Sequence, residues 1–130
     1  KQMPLLQRNA DANDKSGKVH LRALDWTQES HRQGLHPWRG TWSLVVGSDV
    51  GYDPDLFGDL LLTLEAQCSE ATTVYFALAD REEEDEPNVQ DFVDFVAGSF
   101  TTKVVHEGRA EPQHSLTKVL RMKKRPSRPQ

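Results

Sequence analysis

Asp25 is followed directly by Trp26, and Asp49 is followed by Val50, Gly51 and Tyr52. Each carboxylate falls where an apolar run gives out, Val19 to Leu24 before the first and Leu44-Val45-Val46 before the second. In an open α/β sheet, ligands lie beyond the carboxyl ends of the strands, so residues at such ends are placed to touch them. A cleft between the two positions would have a polar wall of carboxylates and an aromatic wall, which suits a nucleoside-like ligand. The other reading is that both aspartates cap loops or helices, a role in which Asp is common. Residue types and spacing leave both open.

The elements that must carry these residues follow from apolar periodicity. Met3, Leu5, Leu6 and Ala10 fit one face of a helix over Met3–Asn13, with Gly17 as a stop beyond it. Val19, Leu21 and Ala23 alternate with His20 and Arg22, which predicts a strand over Lys18–Leu24 that ends in Asp25-Trp26. Thr27–Gly40 lacks periodicity and contains Gly34 and Pro37, so it reads as a loop. Trp42–Ser48 is apolar through its centre and predicts a strand buried on both faces. Pro54–Gln67 predicts the clearest helix: Asp53 stands at the N-cap, Pro54 at the first turn, and Leu56, Phe57, Leu60, Leu61 and Leu64 form one apolar face. Thr73–Leu78 reads as a third buried strand. The charge run Asp80–Glu86 leads to a helix with Val89, Phe92, Val93 and Val96 on one face. Thr101–His106 and Ser115–Met122 read as final strands, and Lys123–Gln130 as a basic, disordered tail.

Alternation of helices with buried strands predicts an α/β fold with a mainly parallel sheet. The last two strands follow one another without a helix, so they are expected to pair antiparallel at one edge. The chain has 130 residues, 36% hydrophobic and 28% charged, which suits one domain with a modest core. A net charge of −4 gives no electrostatic argument for nucleic-acid binding. No apolar run has the length of a membrane span, and no signal-peptide pattern is visible. The single cysteine, Cys68, forms no internal disulfide and favours a reducing compartment: the cytoplasm first, the nucleus as the alternative. It reads as a core or near-surface thiol rather than a nucleophile. Five histidines show no ligand spacing with Cys68, so no metal site is expected. Asp53, Asp55 and Gly58 match three positions of a calcium loop, but Leu64 stands where the bidentate Glu must be.

Three segments, "LLQRNADANDKSGKVHLRALDW", "WSLVVGSDVGYDPDLFGDLLLTLEAQC" and "TVYFALADREEEDEPNVQDFVDFV", together resemble the downstream half of a class I S-adenosylmethionine-dependent methyltransferase. The branch is the seven-β-strand protein lysine methyltransferases of the methyltransferase-16 or methyltransferase-like 21 type. The shared features, in order, are an Asn9-x-x-x-Asn13 helix, a strand closing in Asp25-Trp26, and Ser48-Asp49-x-x-Tyr52 ahead of a Leu-rich helix.

The resemblance implies a Rossmann-like domain whose N-terminal part is missing here, with residues 1–122 as its C-terminal portion and residues 123–130 as the tail. It implies S-adenosylmethionine as cofactor and a protein substrate methylated on lysine. Asp25 would accept a hydrogen bond from the adenine amino group, Trp26 would flank the adenine ring, and Ser48 would lie near the methionine moiety. Asp49 and Tyr52 would stand where the methyl acceptor enters, and the carboxylate would hold and orient the incoming ammonium. Two departures are visible: Gly51 replaces a bulkier residue, and none of the eight glycines forms the Gly-x-Gly of the cofactor loop, expected upstream of Lys1. The competing expectation is a degenerate methyltransferase fold that scaffolds a partner. Oligomeric state is left open.

Overall fold

Phe57, Leu60, Thr63, Leu64 and Gln67 recur at helical spacing, and all five are buried. They lie on α3 (Phe57–Gln67), which a single 3-10 turn over Pro54–Leu56 leads into. In this computed structural model, residues 2–34, 40–51, 53–80 and 88–126 are described. The remaining elements are α1 (Met3–Asn13), α2 (Glu29–Gln33), β1 (Leu44–Ser48), β2 (Thr73–Asp80), α4 (Val89–Val96), β3 (Phe100–Gly108) and β4 (Leu116–Lys124).

The four strands form one sheet in the order β1-β2-β4-β3. β1 and β2 are parallel, joined through α3, while β4 runs antiparallel to both β2 and β3. The predicted antiparallel final pair is present, with a bulge between Val104 and His106. Side chains alternate along β2, so Val74, Phe76 and Leu78 point to one face. Register puts Leu120 and Met122 of β4 opposite Phe76 and Val74, on that same face. With Phe100 and the buried stripes of α3 and α4 they make one core cluster. Both helices therefore cover the same side of the sheet. Phe92 of α4 sits at the centre, edge-on to Phe57 with ring centroids 5.4 Å apart.

The parallel part of the sheet is smaller than the sequence suggests, because Lys18–Leu24 forms no strand. A local acceptor takes one of its backbone donors: Asp14 Oδ2 accepts from Val19 N at 2.7 Å, and Val19 is 54% exposed. β1 is accordingly an edge strand in the described sheet, and its expected burial on both faces is corrected. Val45 faces the core, but Leu44 and Val46 are 54% and 69% exposed. Inside the expected loop Thr27–Gly40, α2 forms one short helix, closed by Gln28 O accepting from His31 N and Arg32 N. Residues 35–39 of that loop and residues 81–86 of the charge run lie outside the described residues. α1 spans the predicted range but buries no residue.

The boundary at residue 122 also moves. β4 continues to Lys124, whose Nζ donates to the carbonyls of Glu65 (2.9 Å) and Cys68 (3.3 Å) at the end of α3. A cation there satisfies helix carbonyls that have no partner within the helix. Arg125 N donates to Ser99 O, extending the sheet contact one residue further. Residues 127–130 of the expected tail lie outside the described residues.

Candidate active site

The end of β1 is built residue by residue. Ser48 pairs with Ala77 of β2, and Asp49 N still donates to Ala77 O at 3.0 Å. Asp49 then turns the chain with φ 55°, a left-handed conformation that Asp tolerates better than most side chains. The turn leaves Ser48 and Asp49 exposed at the carboxyl end of a parallel strand. Val50 drops back against the core, and Gly51 is buried. Asp53 Oδ1 accepts from Asp55 N at 3.0 Å, so the predicted cap is made, at the start of the 3-10 turn. Tyr52, the second expected catalytic residue, lies outside the described residues.

Asp25 ends no strand, yet its carboxylate is held. Oδ1 accepts from Thr27 Oγ1 (2.7 Å) and Thr27 N (3.0 Å), while Asp25 N donates to His31 Nδ1 at 2.9 Å. The hydroxyl of Thr27 and then its amide hold the Asp25 carboxyl below the ordinary carboxylate range. Asp25 is therefore ionised at neutral pH. Both Thr27 bonds fall on Oδ1, which leaves Oδ2 to accept from a ligand amino group.

Trp26 is half-buried beside the core, and its carbonyl accepts from the Arg32 guanidinium. It lines a groove of about 280 Å³ with Leu24, Trp42 and Val45, floored by Gly47 and Phe76. A methyl group on Gly47 would stand 2.8 Å from Phe76 Cε1, so the floor is flat because this residue has no side chain. The lining is almost entirely apolar, with Thr63 and Gln67 of α3 as its polar members. Gln67 Oε1 accepts from Trp42 Nε1 at 3.1 Å and fixes that ring.

The structure thus places Trp26 in a groove alongside β1. Asp25, Ser48 and Asp49 are exposed and do not line the groove. Trp42, expected in the core, is 37% exposed and forms a groove wall. The sequence does hold a signal for it: Thr63 and Gln67 interrupt the apolar face of α3 one turn apart, as polar groups facing a site would. Cys68 is buried, and burial pushes its thiol up to about 11 against the opposing charge of Lys124. A thiol so rarely ionised is a core residue, as expected.

The sequence profile described as lysine methyltransferase matches residues 1–94. The chain belongs to the lysine methyltransferase family. All five expected site residues, Asp25, Trp26, Ser48, Asp49 and Tyr52, fall in the matched segment, and the β3–β4 hairpin lies beyond it. The chain is also 31% identical over 107 residues to "Protein N-lysine methyltransferase METTL21A" of Mus musculus. That similarity covers 80% of this chain and 45% of the mouse protein, so the chain spans about half the length of that relative. The four-stranded mixed sheet with α3 and α4 on one side is consistent with part of a Rossmann-like lysine methyltransferase domain.

Proposed function

We propose that this chain supplies the acceptor side and part of the cofactor side of an S-adenosylmethionine-dependent methyltransferase that modifies lysine in proteins. The observation that carries the reading is the turn after β1, inside the matched segment: a left-handed Asp49 presents an exposed carboxylate at the carboxyl end of a parallel strand. Such strand ends are where ligands of α/β sheets lie.

The chain's own residues fit the cofactor's adenosine end. The apolar groove beside Trp26 and Trp42 has room for a planar ring, and ionised Asp25 offers Oδ2 to an amino group. Bound S-adenosylmethionine supplies an electrophilic methyl group on a sulfonium. The residues of this chain do the rest of what is proposed. Asp49 accepts hydrogen bonds from the lysine ammonium and holds it at the strand end, where loss of a proton to water leaves the amine in place. Alignment of this kind supplies several kcal/mol of a displacement barrier. Tyr52, three residues after Asp49 in the sequence, is the aromatic that the family resemblance assigns to the acceptor, where cation–π attraction would favour an ammonium. Ser48 stands one residue before Asp49, toward the methionine end of the cofactor. The lone Cys68, a free thiol, supports a reducing, cytoplasmic setting for this reaction.

The test is incubation of the complete protein that carries this chain with S-adenosylmethionine labelled on its methyl group and a cell-protein mixture, followed by peptide mass spectrometry. Label on lysine Nζ is the expected outcome. Tight cofactor binding with no label on any protein would instead establish a scaffold.

A further inference from the structure

Gly51 carries no side chain, and its φ lies outside the left-handed region, where only Gly17 and Gly40 among the described glycines are found. Any residue could adopt its backbone, so glycine is needed here for space. A methyl group at this position would stand 3.2 Å from Leu78 Cδ1 and 3.3 Å from Phe92 Cγ. The nearer of these atoms is the end of a flexible side chain; the rigid part of the wall is the fully buried ring of Phe92, itself packed against Phe57 and Phe76. Phe92 cannot drift, because α4 is fixed at its start. Asn88 and Asp91 form a reciprocal capping box, and Asp80 Oδ1 accepts from Val89 N at 2.9 Å. Two residues before Gly51, Asp49 is tied to β2 through Ala77 O. The turn that displays the carboxylate is therefore clamped between a strand on one side and an aromatic ring on the other.

We infer that Phe92 is a positioning residue for the methyl-transfer site: through its contact with Gly51 it sets where the Asp49 carboxylate stands. The inference rests on the proposed role of Asp49 and adds to it a residue from another element that touches no substrate. Added bulk at 51 presses on Leu78 and on the Phe92 ring, and because the ring is held it shifts the turn; a smaller residue at 92 relieves that pressure. Gly51→Ala adds about as much volume as Phe92→Leu removes, so the two together approximately conserve volume.

The experiment compares wild type, Gly51→Ala, Phe92→Leu and the double variant in the complete protein, at a temperature where thermal unfolding shows all four folded. Two readouts are taken: hydrogen exchange of the Asp49 amide, and kcat and KM for labelled methyl transfer. Gly51→Ala is expected to speed exchange at Asp49 and to lower kcat by about threefold or more, with cofactor affinity within about twofold of wild type. The double variant is expected to recover both. An Asp49 amide and a kcat unmoved by Gly51→Ala would overturn the inference, as would a folded double variant no better than the single. If the wild type transfers no methyl groups, the functional reading falls and the catalytic consequence with it. Wild-type transfer with an unmoved Asp49 amide sinks the positioning alone.

Discussion

Asp49 combines an exposed carboxylate, the proposed acceptor-binding group, with a left-handed backbone, and these two properties can be separated by substitution. Glycine adopts φ 55° without cost, whereas alanine is strained there. Asp49→Gly should therefore be more stable than Asp49→Ala by about 1 kcal/mol in thermal denaturation, although both lack the carboxylate. Equal stabilities would mean that the turn is not fixed as described. Asp25 poses a different question, because its carboxylate is already bound to Thr27. Asp25→Ala should weaken cofactor binding about ten- to a hundredfold by calorimetry, as a lost hydrogen bond to a charged acceptor does. Its sign with pH follows from the lowered value: the ionised acceptor persists through mild acid, so affinity declines only below the usual carboxylate range. An affinity unchanged in Asp25→Ala would remove this residue from the adenine site.

At the scale of elements, Asp80 joins three of them. It ends β2, accepts from Val89 N at the start of α4, and bridges Lys118 of β4 at 2.9 Å. Burial raises its carboxyl, but the Val89 amide and then Lys118 outweigh that and leave it below the ordinary range. A depressed carboxyl contributes stability above its unfolded value and loses it as pH falls through the folded one. Asp80→Ala should thus cost on the order of 1 kcal/mol at neutral pH and flatten the acid limb of the stability curve. An unchanged acid limb would contradict this. The helices were legible because burial imposes a period: Phe57, Leu60 and Leu64 stand three and four residues apart, which lines up one face of a helix and scatters over both faces of a strand. Asp53 and Asn88 cap as their types suggest. Lys18–Leu24 was misleading for a physical reason. Alternation of Val19, Leu21 and Ala23 describes a segment that could line a sheet, but a strand exists only with a partner, and pattern does not report partners. The short α2 escaped because five residues, none of them buried, carry no period.

Of the candidate site, the strand-end carboxylate was legible from Ser48-Asp49, since an apolar run broken by an acid has a natural place at the rim of a sheet. The groove was not. It depends on Trp42 swinging out to meet Gln67 and on the missing side chain of Gly47, both of which are tertiary events. The whole molecule also shows an asymmetry: a packed core on one face, and exposed Leu44 and Val46 on the edge strand β1. An unpaired apolar edge invites association between chains. Val46→Lys should raise the concentration at which this chain, expressed alone, begins to associate in sedimentation velocity, with its unfolding midpoint little changed. An onset unaltered by the lysine would place the sticky surface elsewhere. The family match gives these features one setting, a lysine methyltransferase domain, in which the turn after β1 is proposed to serve methyl transfer. The most direct measurement is labelled methyl transfer by the complete protein and by its Asp49→Ala variant, with cofactor affinity determined in parallel. Label on lysine Nζ that disappears in Asp49→Ala while cofactor binding is retained is the predicted result; undiminished transfer by the variant would contradict the proposed site.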